Sequence, residues 1–600
     1  MTTTLIDAHH MAFVIDEVLG VKRLLALPAF AEHDRADADA ILETAEKLAR
    51  DAFLPSYGLL DANEPRMENG RVVLPAEIGD ALASFRDAGF FAMAARGQDG
   101  GLGLPRTVAN AAFLWFQAAN ISIANYAMLT ASAAELLAHH GTPEQKSRYM
   151  TPMIEGRFLG TMALSEPQAG SSLGDITTTA RPLGDGRYAI RGTKMWISGA
   201  EHDMTENIVH LMLARIDGAA PGVRGISLFS VPRKRLDVAD RPGVWNNIAL
   251  AGLNHKMGQR GTVNTVLNVG EGGDTIGEIV GGPGQGLACM FTMMNEARIG
   301  VAMGAVAHAS AGYRHSLAYA RERLQGRHAD AKDPLSPQVP LIEHADVRRM
   351  LLQQKAAAEG GIALTLFLSK LADLKQAAGT PTERADAGLL LDFLTPVFKA
   401  WVSEECLAAN SNAMQVLGGA GYTRDHPVEQ HYRDNRLNPI HEGTNGIQAI
   451  DLLGRKAITA NGRALALFLA QIEITAIALQ GTVVGDLGAR LAAAAKSVRT
   501  AAVTLGELSK TAGSRVALAH AADFMELTGA TTFAWIWAEQ ARCAVARRST
   551  DGASDQAFRD GLVMTCRHVF ANVLPRAEAA ADRIDTRRCV ANEMTDAMFG

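Results

Sequence analysis

Apolar residues recur at three- and four-residue spacing over long stretches towards both ends of the chain, and give way to short alternating runs nearer the middle. Residues 1–35 carry a weak helical pattern around Val18–Leu27. From Asp37 to Arg157 the segments ADAILETAEKLARDAFL, EIGDALASFRDAGFF and ANAAFLWFQAANISIANYAM predict helices, separated by turn-rich pieces such as RGQDGGLGLP. Near Gly160 the character changes. RYAIRGTKMWISG, IVHLMLARI, GISLFSVP and VNTVLNVG are short, rich in β-branched and aromatic residues, and bounded by Gly, Asp and Pro, which predicts strands at sandwich or barrel spacing. Gly270–Gly286 reads as a glycine-rich linker. From Leu287 to Leu417 long Ala-rich helical patterns return and predict a bundle. GGAGYTRDHP and NPIHEGTNG interrupt it, and after Lys456 a further helical block runs to about Asp585.

The expected class is therefore α+β multidomain. We place a leader at 1–35, an N-terminal α domain at 36–160, a middle β domain at 161–281, a helical bundle at 282–460 and an extra all-α domain at 461–600. No βαβ alternation is present, which excludes a Rossmann dinucleotide site.

A length of 600 residues requires several cores. The net charge of -6 argues against non-specific nucleic-acid binding. No apolar run is read as approaching the roughly 20 residues that span a bilayer. The N-terminus lacks a basic segment followed by an apolar one, so no signal peptide is expected. The five cysteines are scattered and never spaced C-x-x-C, which predicts no disulfide scaffold, no metal site and a reducing cytoplasm.

Four segments carry candidate chemistry, and each has an ordinary explanation alone. Met162–Gly174, MALSEPQAGSSLG, offers small residues and hydroxyls near backbone N–H groups, or is a turn-rich domain entrance. Lys194–Gly199, KMWISG, places a Trp in a strand, against a flat ring or in the core. Ala320–Gly326, ARERLQG, offers Arg323 as a planar fork for phosphate, or a solvated face. Gln415–Ile450 combines Gly418, Gly419 and Gly421 with Glu442, set between Pro439–Ile440 and Gly443–Thr444, where a turn can project its carboxylate into a cavity.

Together and in this order, these segments resemble the acyl-CoA dehydrogenase family over residues 36–456. GGLGLP, LSEPQAGS, KMWIS, KMGQRG, QVLGGAGY and HEGTNGIQ each resemble one of its signatures. The leader and the C-terminal block resemble its long subgroup, which includes 3-methylmercaptopropionyl-CoA and broad-range bacterial acyl-CoA dehydrogenases. The implied fold is an N-terminal helical domain, a middle β-barrel or sandwich, a four-helix bundle and an extra all-α domain. The implied reaction is FAD-dependent α,β-desaturation of an acyl-CoA, in which a base takes the α-proton while the β-hydride passes to flavin N5.

The family places its base either at the Glu of E-G-T or at a Glu directly before the Arg of the first bundle helix. Here the residue before Arg298 is Ala297, and Glu296 lies about 100° round the helix from it. The resemblance therefore assigns the base to Glu442, with burial expected to raise its pKa and its backbone N–H expected to donate to the thioester oxygen. By matching position, Leu164, Ser165, Trp196, Ile197 and Ser198 resemble residues around the flavin ring. Arg323 and Gln325 resemble pyrophosphate and adenine contacts. Gln415, Gly418 and Gly419 resemble residues that reach the cofactor of a neighbouring subunit, and Thr444 and Asn445 resemble residues near its ADP part. Ser171, Asn295, Arg298 and Gly443 resemble CoA or thioester contacts, with Ser171 also on the cofactor side.

Departures are Ser172 for the usual Asp, Asn295 where Asp is frequent, a shortened ERLQG without its Phe, and His441 for an aromatic residue. The implied partners are an electron-transfer flavoprotein and a second copy of the chain, the C-terminal block limiting assembly to a homodimer. Competing readings are an acyl-CoA oxidase, another flavoenzyme on this fold, and a non-catalytic scaffold.

Overall fold

Helix-period segments capped by the right residues make most of the chain helical. At the start of helix Pro381–Val397, the Thr380 hydroxyl accepts from Glu383 N (3.2 Å) while the Glu383 carboxylate accepts from Thr380 N (2.9 Å). The computed structural model describes residues 5–546 and 553–600. The chain divides into two units, one of Ala36–Leu104 and Ala112–Gly300, the other of Met1–Arg35, Pro105–Ala111 and Val301–Gly600.

The first unit joins helices to a β-barrel. Five strands close a ring: Arg187–Ser198 pairs with Thr275–Val280, then Ile226–Pro232, Asn207–Ile216 and Thr179–Gly184, which returns to Arg187–Ser198. Phe158–Ala163 adds in parallel beside Asn207–Ile216. Asn264–Val269 and Ile248–Leu253 extend the far half of the 12-residue strand Arg187–Ser198. Ile190, Ile197, Met212, Phe229, Val231 and Leu267 are fully buried in this core.

Three readings are corrected here. The stretch Gly270–Gly286 is not a linker, because its β-branched centre Thr275–Val280 is a strand of the ring. Gly277 permits this, since a Cβ there would lie 2.6 Å from Ile190 Cδ1. The all-helical reading of 37–157 missed the hairpin Arg66–Glu68/Arg71–Val73. Its turn residues Asn69 (φ 50°) and Gly70 (φ 75°) take the left-handed backbone that an Asn-Gly turn favours. Finally, helix Arg106–His140 is long and apolar enough to cross a membrane by length and composition, and 72% of its most apolar window is buried within the chain. Interspersed Asn, Gln and Ser residues hid that run from a reading that sought unbroken apolarity.

The second unit is helical. Ala345–Ala377, Pro381–Val397 and Ser403–Leu417 supply bundle helices with the C-terminal part of Gly286–Glu322. The C-terminal block packs on this bundle through helix Ala521–Ala546. Trp537 Nε1 donates to Ala356 O (3.2 Å), and a Cβ on Gly360 would lie 2.5 Å from that nitrogen. A Cβ on Gly529 would meet Trp401 Cγ at 2.2 Å, so helix Ala521–Ala546 approaches both Ala345–Ala377 and the turn that carries Trp401 only because these positions are glycine. Arg576 ties Glu405 (2.7 Å) to Glu526 (2.6 Å). The leader is built into the same unit: Arg559 forks onto Glu17 (2.9 and 2.8 Å) and Lys370 donates to Leu19 O (2.8 Å). Residues 547–552 of the C-terminal block lie outside the described residues.

Candidate active site

In the first unit, strand Phe158–Ala163 ends in the loop that begins at Leu164. A buried ion pair holds that loop. Lys194 Nζ donates to Leu164 O (3.0 Å) and Glu166 Oε1 (2.9 Å), and Met195 N donates to Ser165 O (3.0 Å). Glu166 also accepts from Thr177 N (2.7 Å), Thr178 N (3.0 Å), both hydroxyls and Gln168. Burial pushes the Glu166 carboxyl up, but the Lys194 charge and these donors outweigh it and bring it to about 2. Burial lowers Lys194 to about 8 against the pull of Glu166, so both are charged at neutral pH.

The strand beyond Lys194 is aimed by a bulge. Thr265 pairs with Ile197 and Val266 with Met195, so Trp196 has no partner in the ladder. It takes φ 64° and is 58% exposed, while Ile197 on the other face is buried. Ser198 Oγ accepts from Asn264 Nδ2 (3.0 Å), fixing the end of the bulge. Ser171 is exposed on the loop. Ser172, which stands where the family usually has Asp, donates to the Asp175 carboxylate. On helix Gly286–Glu322, Arg298 is buried and reaches Asn295 Oδ1 (3.4 Å), and Ala297 is buried beside it.

In the second unit, Glu442 takes φ 53° and Gly443 φ 85°, two successive left-handed residues before helix Asn445–Gly454. Thr444 caps that helix through Ile447 N (3.4 Å). Gln448 Nε2 donates to Glu442 O (3.0 Å), and Lys399 Nζ donates to Gly443 O (2.7 Å). The Asn445 amide is engaged inside the chain, accepting from Lys399 (3.1 Å) and donating to Ala400 O (3.1 Å) and Glu404 Oε1 (2.8 Å). That geometry gives Asn445 a loop-fastening role. His441 is held near Asn438 Oδ1 (3.3 Å); burial, with the nearby Lys399 charge, lowers its imidazole to about 3, so it is neutral at neutral pH.

Elsewhere in this unit, Gln415, Gly418 and Gly419 are exposed together at the end of helix Ser403–Leu417, and nothing lies within 4 Å of a Cβ on either glycine. Arg323 and Gln325 are exposed on a short ledge, where Leu324 bridges Pro340 and Gln325 O accepts from His344 Nε2 (2.7 Å). Among the described residues no group of three or more His, Cys, Asp or Glu side chains is placed to hold a metal ion.

Four family models match the chain in order. Those described as the acyl-CoA dehydrogenase N-terminal, middle and C-terminal domains match 35–157, 161–267 and 284–458, and "Acetyl-CoA dehydrogenase C-terminal like" matches 468–595. The 3-methylmercaptopropionyl-CoA dehydrogenase of Ruegeria pomeroyi is 37% identical over 95% of this chain and 96% of its own length. The chain belongs to the acyl-CoA dehydrogenase family. It is thereby an oxidoreductase with the expected helical, β and bundle domains and the extra C-terminal block. The broad-specificity linear acyl-CoA dehydrogenase FadE5 of Mycobacterium tuberculosis is 33% identical over 99% of both chains. Among solved structures, an acyl-CoA dehydrogenase complexed with FAD from Bacillus anthracis shares the fold (TM-score 0.73, 19% identity, 99% of this chain and 92% of that one). ACDH-11 of Caenorhabditis elegans in complex with C11-CoA does so too (TM-score 0.72, 18% identity, 98% and 95%).

The sequence signatures single out Glu442, Trp196 and the loop after Ala163 as candidates, and assign nothing to Glu166, Lys194, Lys399 or Gln448. A signal for Lys399 was available: a lone cation inside the apolar run VFKAWV must find acceptors if that run is buried.

Proposed function

We propose that this chain desaturates an acyl-CoA thioester between Cα and Cβ, with Glu442 taking the α-proton and FAD as cofactor. The observation that carries it is the Glu442–Gly443 turn, a left-handed carboxylate-bearing loop whose two carbonyls are fastened by Gln448 and Lys399. A glutamate at φ 53° persists only where its surroundings hold it, and such strain concentrates at functional sites.

The residues present fit the cofactor. A bulged, exposed indole at Trp196 suits a flat ring system, and Leu164, Ser165, Ile197 and Ser198 take the ring-side roles. The exposed fork of Arg323 and the open backbone at Gly418 and Gly419 suit phosphate and close main-chain approach, with Gln325 and Gln415 beside them. Bound FAD supplies hydride acceptance. The chain's own part is to orient the thioester through Ser171, Arg298 and Gly443, to offer the Glu442 N–H to the developing enolate oxygen, and to hold the α-proton on the Glu442 carboxylate. Neutral His441 adds no charge beside that base.

The test is anaerobic addition of a panel of saturated acyl-CoAs, from methylmercaptopropionyl to long linear chains, to the FAD-loaded protein. At least one member should bleach the flavin and yield the trans-2-enoyl thioester. A flavin unchanged by the whole panel would reject the reading. An electron-transfer flavoprotein is the proposed acceptor, and the free cysteines suit a reducing cytoplasm.

We further propose a homodimer. The bundle face at Ala356 and Gly360 is covered within the chain by Phe533 and Trp537, leaving it closed to a second dimer. Light scattering should give about twice the chain mass; a tetramer mass would reject this.

A further inference from the structure

Lys399 is fully buried on the π-helical turn Phe398–Val402. A buried ammonium is costly to desolvate and is kept where its donors meet good acceptors. Its acceptors lie far along the chain, 44 residues away at Gly443 O (2.7 Å) and 46 residues away at Asn445 Oδ1 (3.1 Å). They follow Glu442 directly. Asn445 extends the clasp, donating back to Ala400 O (3.1 Å) and to Glu404 (2.8 Å), so the turn is tied both to Lys399 and to its neighbours. On the other side, Gln448 holds Glu442 O (3.0 Å) and packs so close to Gly443 that a Cβ there would lie 2.7 Å from its Nε2. Glu442 at φ 53° carries a Cβ in a region that L-residues disfavour, and without outside ties the turn would relax.

We propose that Lys399 is a positioning residue for the catalytic base: its contacts hold the Glu442–Gly443 turn so that the Glu442 carboxylate keeps one orientation towards the substrate α-carbon. The inference rests on Glu442 being the base. A small displacement of a reacting group lowers rate far more than affinity, so the expected signature is a loss in kcat with binding kept.

The experiment compares FAD-loaded wild type, Lys399→Met and Lys399→Arg by steady-state kinetics, flavin occupancy and hydrogen–deuterium exchange over 437–448. For Lys399→Met, kcat should fall by about 100-fold with KM within about threefold. Flavin occupancy should be kept, exchange over 437–448 should quicken, and Lys399→Arg should recover part of both losses. Unchanged exchange, or a kcat within about twofold of wild type, would overturn the proposal. If Lys399→Met fails to fold, Asn445→Ala removes the Oδ1 acceptor of Lys399 and should show the same kcat-selective loss in smaller measure; wild-type kcat there would overturn it. Glu442→Gln is run alongside. If that variant keeps turnover, the base assignment fails and the proposal with it, whereas normal loss in Glu442→Gln with a silent Lys399→Met defeats the positioning role alone.

Discussion

Glu442→Gln is expected to fold, retain FAD and bind acyl-CoA, and to lose turnover by about 1,000-fold, within the range by which a positioned general base accelerates proton transfer. That corresponds to about 4 kcal/mol of transition-state stabilisation. The amide is nearly isosteric, and the bonds from Gln448 and Lys399 to the carbonyls of 442 and 443 lie on the main chain, which the substitution leaves in place. The loss should therefore fall on kcat, with KM little changed. The helix Gly286–Glu322 offers no substitute base in the position before Arg298, because Ala297 stands there and is buried. Turnover within about tenfold of wild type would reject the assignment.

Lys194→Met is expected to destabilise the barrel unit by about 3–5 kcal/mol, the usual result of stranding one member of a buried ion pair. Lys194 and Glu166 are both buried, and removing the ammonium leaves the carboxylate with amide and hydroxyl donors alone while Leu164 O loses its partner. Flavin retention should fall with stability, because the loop that carries Leu164 and Ser165 is what Lys194 holds. The pH dependence has a definite sign. Glu166 titrates at about 2 in the folded chain, below its ordinary value, so its contribution is present above about pH 4.5 and is lost as pH falls towards 2. Lys194, lowered to about 8, binds its proton less readily folded than unfolded, so stability gains as pH rises above 8. Denaturant midpoints of wild type and variant, with flavin fluorescence as the probe, check both; equal midpoints at pH 7 would contradict the role given to the pair.

Much of this site is legible in the sequence because its chemistry sits in short contiguous signatures. HEGTNGIQ carries the proposed base and the cap of the following helix within a few residues, and periodicity alone separates the helical ends of the chain from the strand-rich middle. What stays hidden depends on partners distant in the chain. Trp196 is found by its motif, but its exposure comes from a register slip against Thr265 and Val266, which no local pattern encodes. Glu166 and Lys194 meet across 28 residues, and Lys399 meets Gly443 across 44. The strand Thr275–Val280 was obscured by flanking glycines, one of which is required by close packing against Ile190. The leader reads weakly because part of its fastening is polar, through Glu17 and the Leu19 carbonyl.

The central claim is that Glu442 removes the α-proton, and it can be measured apart from hydride transfer. A 3-thiaacyl-CoA has sulfur in place of Cβ, so it has no hydride to give but retains acidic α-hydrogens. With the α-carbon deuterated, the FAD-loaded wild-type protein should exchange that deuterium for solvent hydrogen, followed by mass spectrometry, while Glu442→Gln with equal flavin and equal ligand binding should not. Exchange at the wild-type rate in Glu442→Gln would contradict the account.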